Sequence, residues 1–195
     1  MSNLSFYVHI PYCVKRCGYC DFNTYTPAEL REGGTLETVS QGFVDSLIAE
    51  VTFASRNQST TIPTIFFGGG TPSLMPAKEL ERVIDLLKQR WEFAPNIEVT
   101  MECNPDTLTL QSLEEYRGIG INRISMGMRS ANSSVLKVLD RTHNPENVSK
   151  SVENARKAGF ENVSLDLIYG TPGETLEQWK ASVKTALSYS VNHLS

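Results

Sequence analysis

An α/β fold of repeated β–α units is the class that this sequence predicts, and three observations predict it. Short runs rich in β-branched and aromatic residues alternate with longer runs whose apolar residues recur at helical spacing. The alternation repeats along the chain. The final residues, Val191-Asn192-His193-Leu194-Ser195, look like one more strand opening with nothing after it. Strand–helix–strand units cross over right-handed, so their succession forms either a doubly wound sheet or a curving barrel wall.

The elements follow in order. Candidate strands, all short, cover residues 6–10, 64–67, 97–101, 123–126 and 163–169, with a sixth beginning at about Val191. Between them, Phe43, Val44, Leu47, Ile48 and Val51 fall on one helical face, as do Leu80, Val83, Ile84 and Leu87, then Leu176, Trp179, Val183 and Leu187. Each stripe is expected to pack into the core. Pro76, Pro145 and Thr175 stand near helix starts, where proline and short hydroxyl side chains are tolerated or preferred. Gly118 and Gly159 are expected to close the third and fourth units.

At 195 residues the chain suits one domain with a substantial core. Its 40% hydrophobic and 21% charged residues and nine prolines describe an ordinary soluble globular protein. No window approaches a membrane span. The first ten residues lack a basic region leading into an apolar stretch, so a cytoplasmic location is the default expectation. A net charge of −4, with 18 scattered basic residues, provides no electrostatic footprint for a nucleic-acid backbone. Nucleic acid is therefore not an expected partner.

Three of the four cysteines crowd into eight residues, which in a reducing compartment reads as a metal site. Pro11 ends the first strand, and Cys13, Cys17 and Cys20 follow on a loop with C-x3-C-x2-C spacing. Three thiolates around a four-iron cube leave one iron open to a small molecule. The alternative is a structural zinc site completed by His9, since three cysteines and a histidine are a legitimate tetrahedral set. Closed zinc sites usually draw their ligands as two separated pairs, and His9 lies within the first strand, so the spacing favours the cluster. Cys103, far away at a strand end, is expected to be a small buried apolar residue.

The motif, with Tyr19 before its last cysteine, resembles that of the radical S-adenosylmethionine (SAM) superfamily. The resemblance runs from Tyr7 through Asp166 and is strongest to the branch of oxygen-independent coproporphyrinogen III oxidases and the haem chaperones called HemW. It is carried by Tyr7-Val8-His9-Ile10-Pro11, Phe67-Gly68-Gly69-Gly70-Thr71-Pro72, Glu102-Cys103-Asn104-Pro105-Asp106, Asn122-Arg123-Ile124-Ser125-Met126-Gly127 and Asp166-Leu167-Ile168-Tyr169-Gly170-Thr171-Pro172. Each stretch lies at or near the carboxyl end of a predicted strand, where parallel barrels assemble their sites. The resemblance implies an incomplete (β/α)6 partial TIM barrel, open on one side. The 195 residues are then expected to be one radical SAM core domain, truncated at the start of the sixth strand, without the family's C-terminal region.

It also implies roles. Cys13, Cys17 and Cys20 would hold a [4Fe–4S] cluster, and Gly69, Gly70, Thr71, Glu102, Arg141 and Asp166 match positions that contact SAM. Their chemistry suits it, because a carboxylate can accept from ribose hydroxyls or an ammonium and a guanidinium can grip a carboxylate with two prongs. A glycine run can approach a ligand closely, although a tight turn is its commoner use. Tyr7 and Tyr19 match aromatic positions beside cluster and cofactor, with core tyrosines at the barrel mouth the plainer reading. The implied chemistry is reductive cleavage of SAM to methionine and a 5′-deoxyadenosyl radical, with an electron donor as partner.

Two departures choose between branches. The oxidase carries a fourth cysteine two residues after the third, where this sequence has Phe22. Haem is therefore the expected cargo and haem-acceptor proteins the expected partners, with porphyrinogen decarboxylation in haem biosynthesis as the alternative. Arg129 stands where the family usually has glutamine among its cofactor contacts, which bears on cofactor affinity or geometry.

Overall fold

A computed structural model of the chain describes residues 4–29, 36–55, 60–141 and 145–195. Six strands form one sheet: β1 (Phe6–Ile10), β2 (Thr61–Gly69), β3 (Glu92–Cys103), β4 (Arg123–Arg129), β5 (Asn162–Leu167) and β6 (His193–Leu194). Every neighbouring pair is parallel, and spatial order follows chain order from β1 to β6. A doubly wound sheet reverses its strand order at a switch point. No reversal occurs among these strands, so the sheet is the wall of an open partial barrel. The crossovers carry α1 (Leu36–Ala54), α2 (Ala77–Arg90), α3 (Leu110–Gly118), the pair α4 (Ser133–Val138) and α5 (Pro145–Lys157), and α6 (Leu176–Ser188).

Burial explains the central strands. All five residues from Ile124 to Met128 inside β4 are buried, the near-continuous burial expected of a strand covered on both faces. Phe67, Met101, Ile124 and Leu165 of the sheet join Leu80, Val83, Ile84 and Leu87 of α2 and Val148, Val152 and Ala155 of α5 in one core. Polar side chains close the elements. Thr175 and Gln178 form a reciprocal capping box at the start of α6, and Thr109 and Ser112 do the same for α3.

Several expectations need correction. β2 and β3 begin earlier than the sequence pattern indicates, because they pair through Thr61–Glu92 and Ile62–Phe93 before a register shift between Ile62 and Thr64. Pro63 and Pro95 interrupt the pattern there, since proline cannot donate to a ladder. β5 stops at Leu167, and Tyr169 is exposed. The α6 stripe does not pack as a core face: Leu176 and Leu187 are 60% and 62% exposed, and the buried residues are Ser182 and Ala186. Ser182 instead ties α6 to the end of β4 through Ser130 Oγ and Ala131 N–H, each at 3.0 Å. Gly118 is the last residue of α3, but the left-handed residue that turns the chain is Gly120, at φ +104°. After α5, Gly159 does so at φ +86°.

Among the described residues, no helix is long and apolar enough to cross a membrane.

Candidate functional site

The cysteine loop leaves β1 and is tied back to it. Tyr25 N–H bonds Pro11 C=O at 2.6 Å, and Cys13 N–H bonds Tyr25 C=O at 3.0 Å. Arg16 donates to the Thr24 backbone carbonyl and pairs with Glu29 at 3.1 Å, bracing the loop's far side. A turn from Cys20 N–H to Cys17 C=O, 3.1 Å, folds the last two cysteines together. All four thiols are free. Thr71 Oγ1 lies 3.6 Å from Cys13 Sγ, and Arg141 Nη1 donates to Cys17 Sγ at 3.2 Å. Burial pushes the Cys13 thiol up, with the Thr71 hydrogen bond pulling the other way.

The glycine run serves this loop directly. Gly70 N–H bonds Ile10 C=O and Thr71 N–H bonds Tyr12 C=O, both at 2.7 Å. A Cβ on Gly70 would stand 2.5 Å from the Tyr12 carbonyl oxygen, so only glycine permits this approach. Gly69 adopts φ +108° and donates its N–H to Glu102 Oε2 at 3.0 Å. The His9 ring fills the space where a Gly69 side chain would lie.

Carboxylates and guanidiniums meet at the ends of β3, β4 and β5. Burial pushes the Glu102 carboxyl up, helped by the nearby Asp166 and opposed by the Gly69 N–H. Asp166 accepts from Ser125 Oγ at 3.1 Å and Ser195 Oγ at 2.6 Å, and Arg129 Nη1 approaches it at 4.0 Å. Arg129 ends β4 at φ +63°, where the β4–β5 register shifts between Met126 and Arg129. Its guanidinium lies over the Tyr19 ring, 5.9 Å from the centroid, in the space left open by Gly127. Burial raises the Tyr19 phenol, against the pull of Arg129 and Arg141.

These groups line one cavity of about 860 Å³ that brings together Cys13, Cys17, Cys20, Tyr19, Gly69, Gly70, Thr71, Glu102, Arg129, Arg141 and Asp166. The volume lies within the range of small-molecule and cofactor sites. Tyr7 is not in the lining. It lies on β1, its O–H bonding His9 Nδ1 at 2.9 Å. His9 Nε2 donates to Asn23 C=O at 2.8 Å, which fixes the tautomer because a carbonyl only accepts. Both imidazole nitrogens are thus engaged within the protein, which tells against His9 as a zinc ligand. Among the described residues, no three His, Cys, Asp or Glu side chains converge enough to hold a single metal ion. The three thiols instead share the cavity lining with hydrogen-bond donors directed at two of them, a donor set that fits an iron–sulfur cluster held by thiolates set apart around it.

Phe22 lines the same cavity, 60% exposed. Cys103 also lines it, buried, with burial pushing its thiol well up. Sequence reasoning missed Ser125, Gly127 and Ser195, whose relation to Asp166 and Arg129 depends on register between distant strands. Only the Ser125 and Gly127 signals were present, inside the block that follows Asn122.

A parallel open barrel with a three-cysteine loop after its first strand, and acid and glycine blocks on the next strand ends, defines the radical SAM class. The chain matches that superfamily over residues 7–186 and belongs to it. Superfamily membership implies a [4Fe–4S] cluster and SAM. Within the class the chain is similar to the heme chaperone HemW of Mycobacterium tuberculosis strain H37Rv, 40% identical over 190 residues that cover 97% of this chain and 47% of that protein. It is also similar to heme chaperone HemW of Escherichia coli K12, 35% identical over 192 residues covering 98% and 49%. The structure of coproporphyrinogen III oxidase (HemN) from Escherichia coli, described as a radical SAM enzyme, superimposes with a TM-score of 0.86 at 28% identity, covering 98% of this chain and 43% of that one. The chain spans about half the length of the curated relatives it matches.

Proposed function

We propose that this chain is the iron–sulfur core of a haem chaperone of the HemW kind. In this reading Cys13, Cys17 and Cys20 hold a [4Fe–4S] cluster, and Gly69, Gly70, Thr71, Glu102, Arg129, Arg141 and Asp166 receive SAM. One observation carries it: the three thiols share a cavity with the carboxylates of Glu102 and Asp166 and the guanidiniums of Arg129 and Arg141, groups that complement the ammonium and carboxylate of an amino acid. The cluster, when bound, supplies the electron for reductive chemistry on the SAM sulfonium. The chain's residues do the holding. Thr71 and Arg141 donate to ligand sulfurs, Glu102 accepts the Gly69 N–H and keeps the glycine turn in place, and Ser125 orients Asp166. Arg129 lies over the Tyr19 ring beside them. Haem is the proposed cargo, as the relatives' name suggests, with an electron donor and haem-acceptor proteins as partners.

A second reading is porphyrinogen decarboxylation, favoured by the likeness to HemN. Phe22 weighs against it, because an exposed apolar ring cannot replace a thiol at that point of the cavity.

Anaerobic reconstitution with iron and sulfide should yield a brown protein with a reducible paramagnetic signal. Changing Cys13, Cys17 or Cys20 to serine should abolish the signal, and Cys103→Ser should leave it. Titration with haem should produce a saturable Soret shift, while coproporphyrinogen III with SAM and a reductant should remain unconverted. Divinyl product at catalytic turnover, dependent on Cys13, would restore the oxidase reading. A cluster that survives all three serine substitutions would remove the ligand assignment.

A further inference from the structure

Among the described residues, three helices end in the same paired backbone turn, and one of them builds it from a different residue. After α3, Ile121 N–H bonds Tyr116 C=O and Gly120 N–H bonds Arg117 C=O, both at 3.2 Å. After α5, Phe160 N–H bonds Ala155 C=O at 2.9 Å and Gly159 N–H bonds Arg156 C=O at 3.0 Å. After α4, Arg141 N–H bonds Leu136 C=O at 2.9 Å and Asp140 N–H bonds Lys137 C=O at 3.2 Å. This paired bonding is the Schellman motif, which requires a left-handed residue just past the helix. Glycine provides it twice, with open space where a side chain would go. At the third turn the residue is Asp140, at φ +54°, where a side chain carries a conformational cost that aspartate bears better than most.

The Asp140 side chain has a use that glycine could not serve. Its Oδ1 lies 2.6 Å from Lys15 Nζ, and a Cβ added to Gly18 would stand 3.6 Å from Asp140 Cβ. Lys15 and Gly18 flank Cys17. The next residue, Arg141, donates to Cys17 Sγ at 3.2 Å and to Gly127 C=O at 3.4 Å. One turn thus meets the cysteine loop through its carboxylate and its guanidinium together.

We propose that Asp140 is a positioning residue: with Lys15 it latches the cysteine loop to the end of α4, so that Cys17 is held in register with Cys13 and Cys20. The inference rests on the proposed cluster ligation, and it adds a residue of the cavity lining that is not one of the three thiol ligands. Lys15 and Asp140 are 56% and 50% exposed, so the latch is modest and salt-sensitive.

The test is Asp140→Gly, which keeps the turn and suits its φ better. The apo variant should melt at the same temperature as the parent or higher. After anaerobic reconstitution it should lose its cluster to a ferrous-iron chelator about two- to fivefold faster at low salt, with the difference gone near 1 M sodium chloride. Lys15→Met should match it, and the double variant should be no worse than either single change. In the apo chain, iodoacetamide should alkylate Cys17 faster in both variants, measured by peptide mass spectrometry. Unchanged cluster loss and unchanged alkylation would overturn the latch, and a lowered melting temperature in Asp140→Gly would reduce Asp140 to a structural cap. A parent chain that takes up no cluster would defeat the proposed function alone, because the apo alkylation rates still decide the latch.

Discussion

The layer between the sheet and helices α2 and α5 differs from the sheet's carboxyl edge in what holds it. In the first, Phe67, Met101, Ile124 and Leu165 join Leu80, Ile84, Leu87 and Val152 in one hydrophobic cluster. At the edge, backbone groups of Gly69, Gly70 and Thr71 are held by single hydrogen bonds to Glu102, Ile10 and Tyr12. Burial is non-directional and tolerates shape-conserving exchange, whereas a hydrogen-bonded turn depends on individual atoms. Substitutions in the layer should therefore cost stability, and substitutions at the edge should cost the site.

The largest effect is expected in the layer. Phe67 is fully buried, and Phe67→Ala should destabilise the chain by about 3–5 kcal/mol, read by urea unfolding. A loss below about 1 kcal/mol would mean that the layer is loosely packed. Gly70→Ala comes next. Its Cβ would meet backbone rather than a movable side chain, so the cysteine loop must shift, at a cost of about 1–3 kcal/mol. Cluster uptake should fall far more than that loss of stability explains, and equal falls in both would erase the distinction between the regions.

The smallest effect is Glu102→Gln. Burial, with Asp166 adding to it, raises the Glu102 carboxyl, so the folded chain holds that proton more tightly than the unfolded one. This group's contribution to stability is fully present below the ordinary carboxylate range and is lost as pH rises through the raised value. The glutamine variant, still able to accept the Gly69 N–H, should therefore melt higher than the parent at pH 8, with the gap closing toward pH 4. Melting curves followed by circular dichroism check this, and a parent that melts higher at pH 8 would show that the charged form is the one the site stabilises.

Legibility followed the same division. The β1 bounds, the α2 face and the cysteine spacing were readable because each depends on residues close in sequence. Thr175 was readable as a helix start for the same reason. The α6 face was misread: Leu176 and Leu187 keep a helical period, but periodicity shows which residues share a face and not whether tertiary packing covers that face, and both are exposed. The beginning of β3 was lost to Pro95, which breaks the pattern although the pairing continues past it.

By itself the sequence determined the repeated β–α units and the three-thiol loop, since these are periodicities and spacings written within a few residues, and the glycine, glutamate and aspartate blocks were legible through the family resemblance. Only the tertiary structure decided that Ser125 and Ser195 meet on Asp166 and that Arg129 turns left-handed to cover Tyr19. It also decided that Asp140 reaches a lysine 125 residues away. Those relations come from strand register and helix-end geometry, which bring together side chains whose local sequences carry no mark of one another.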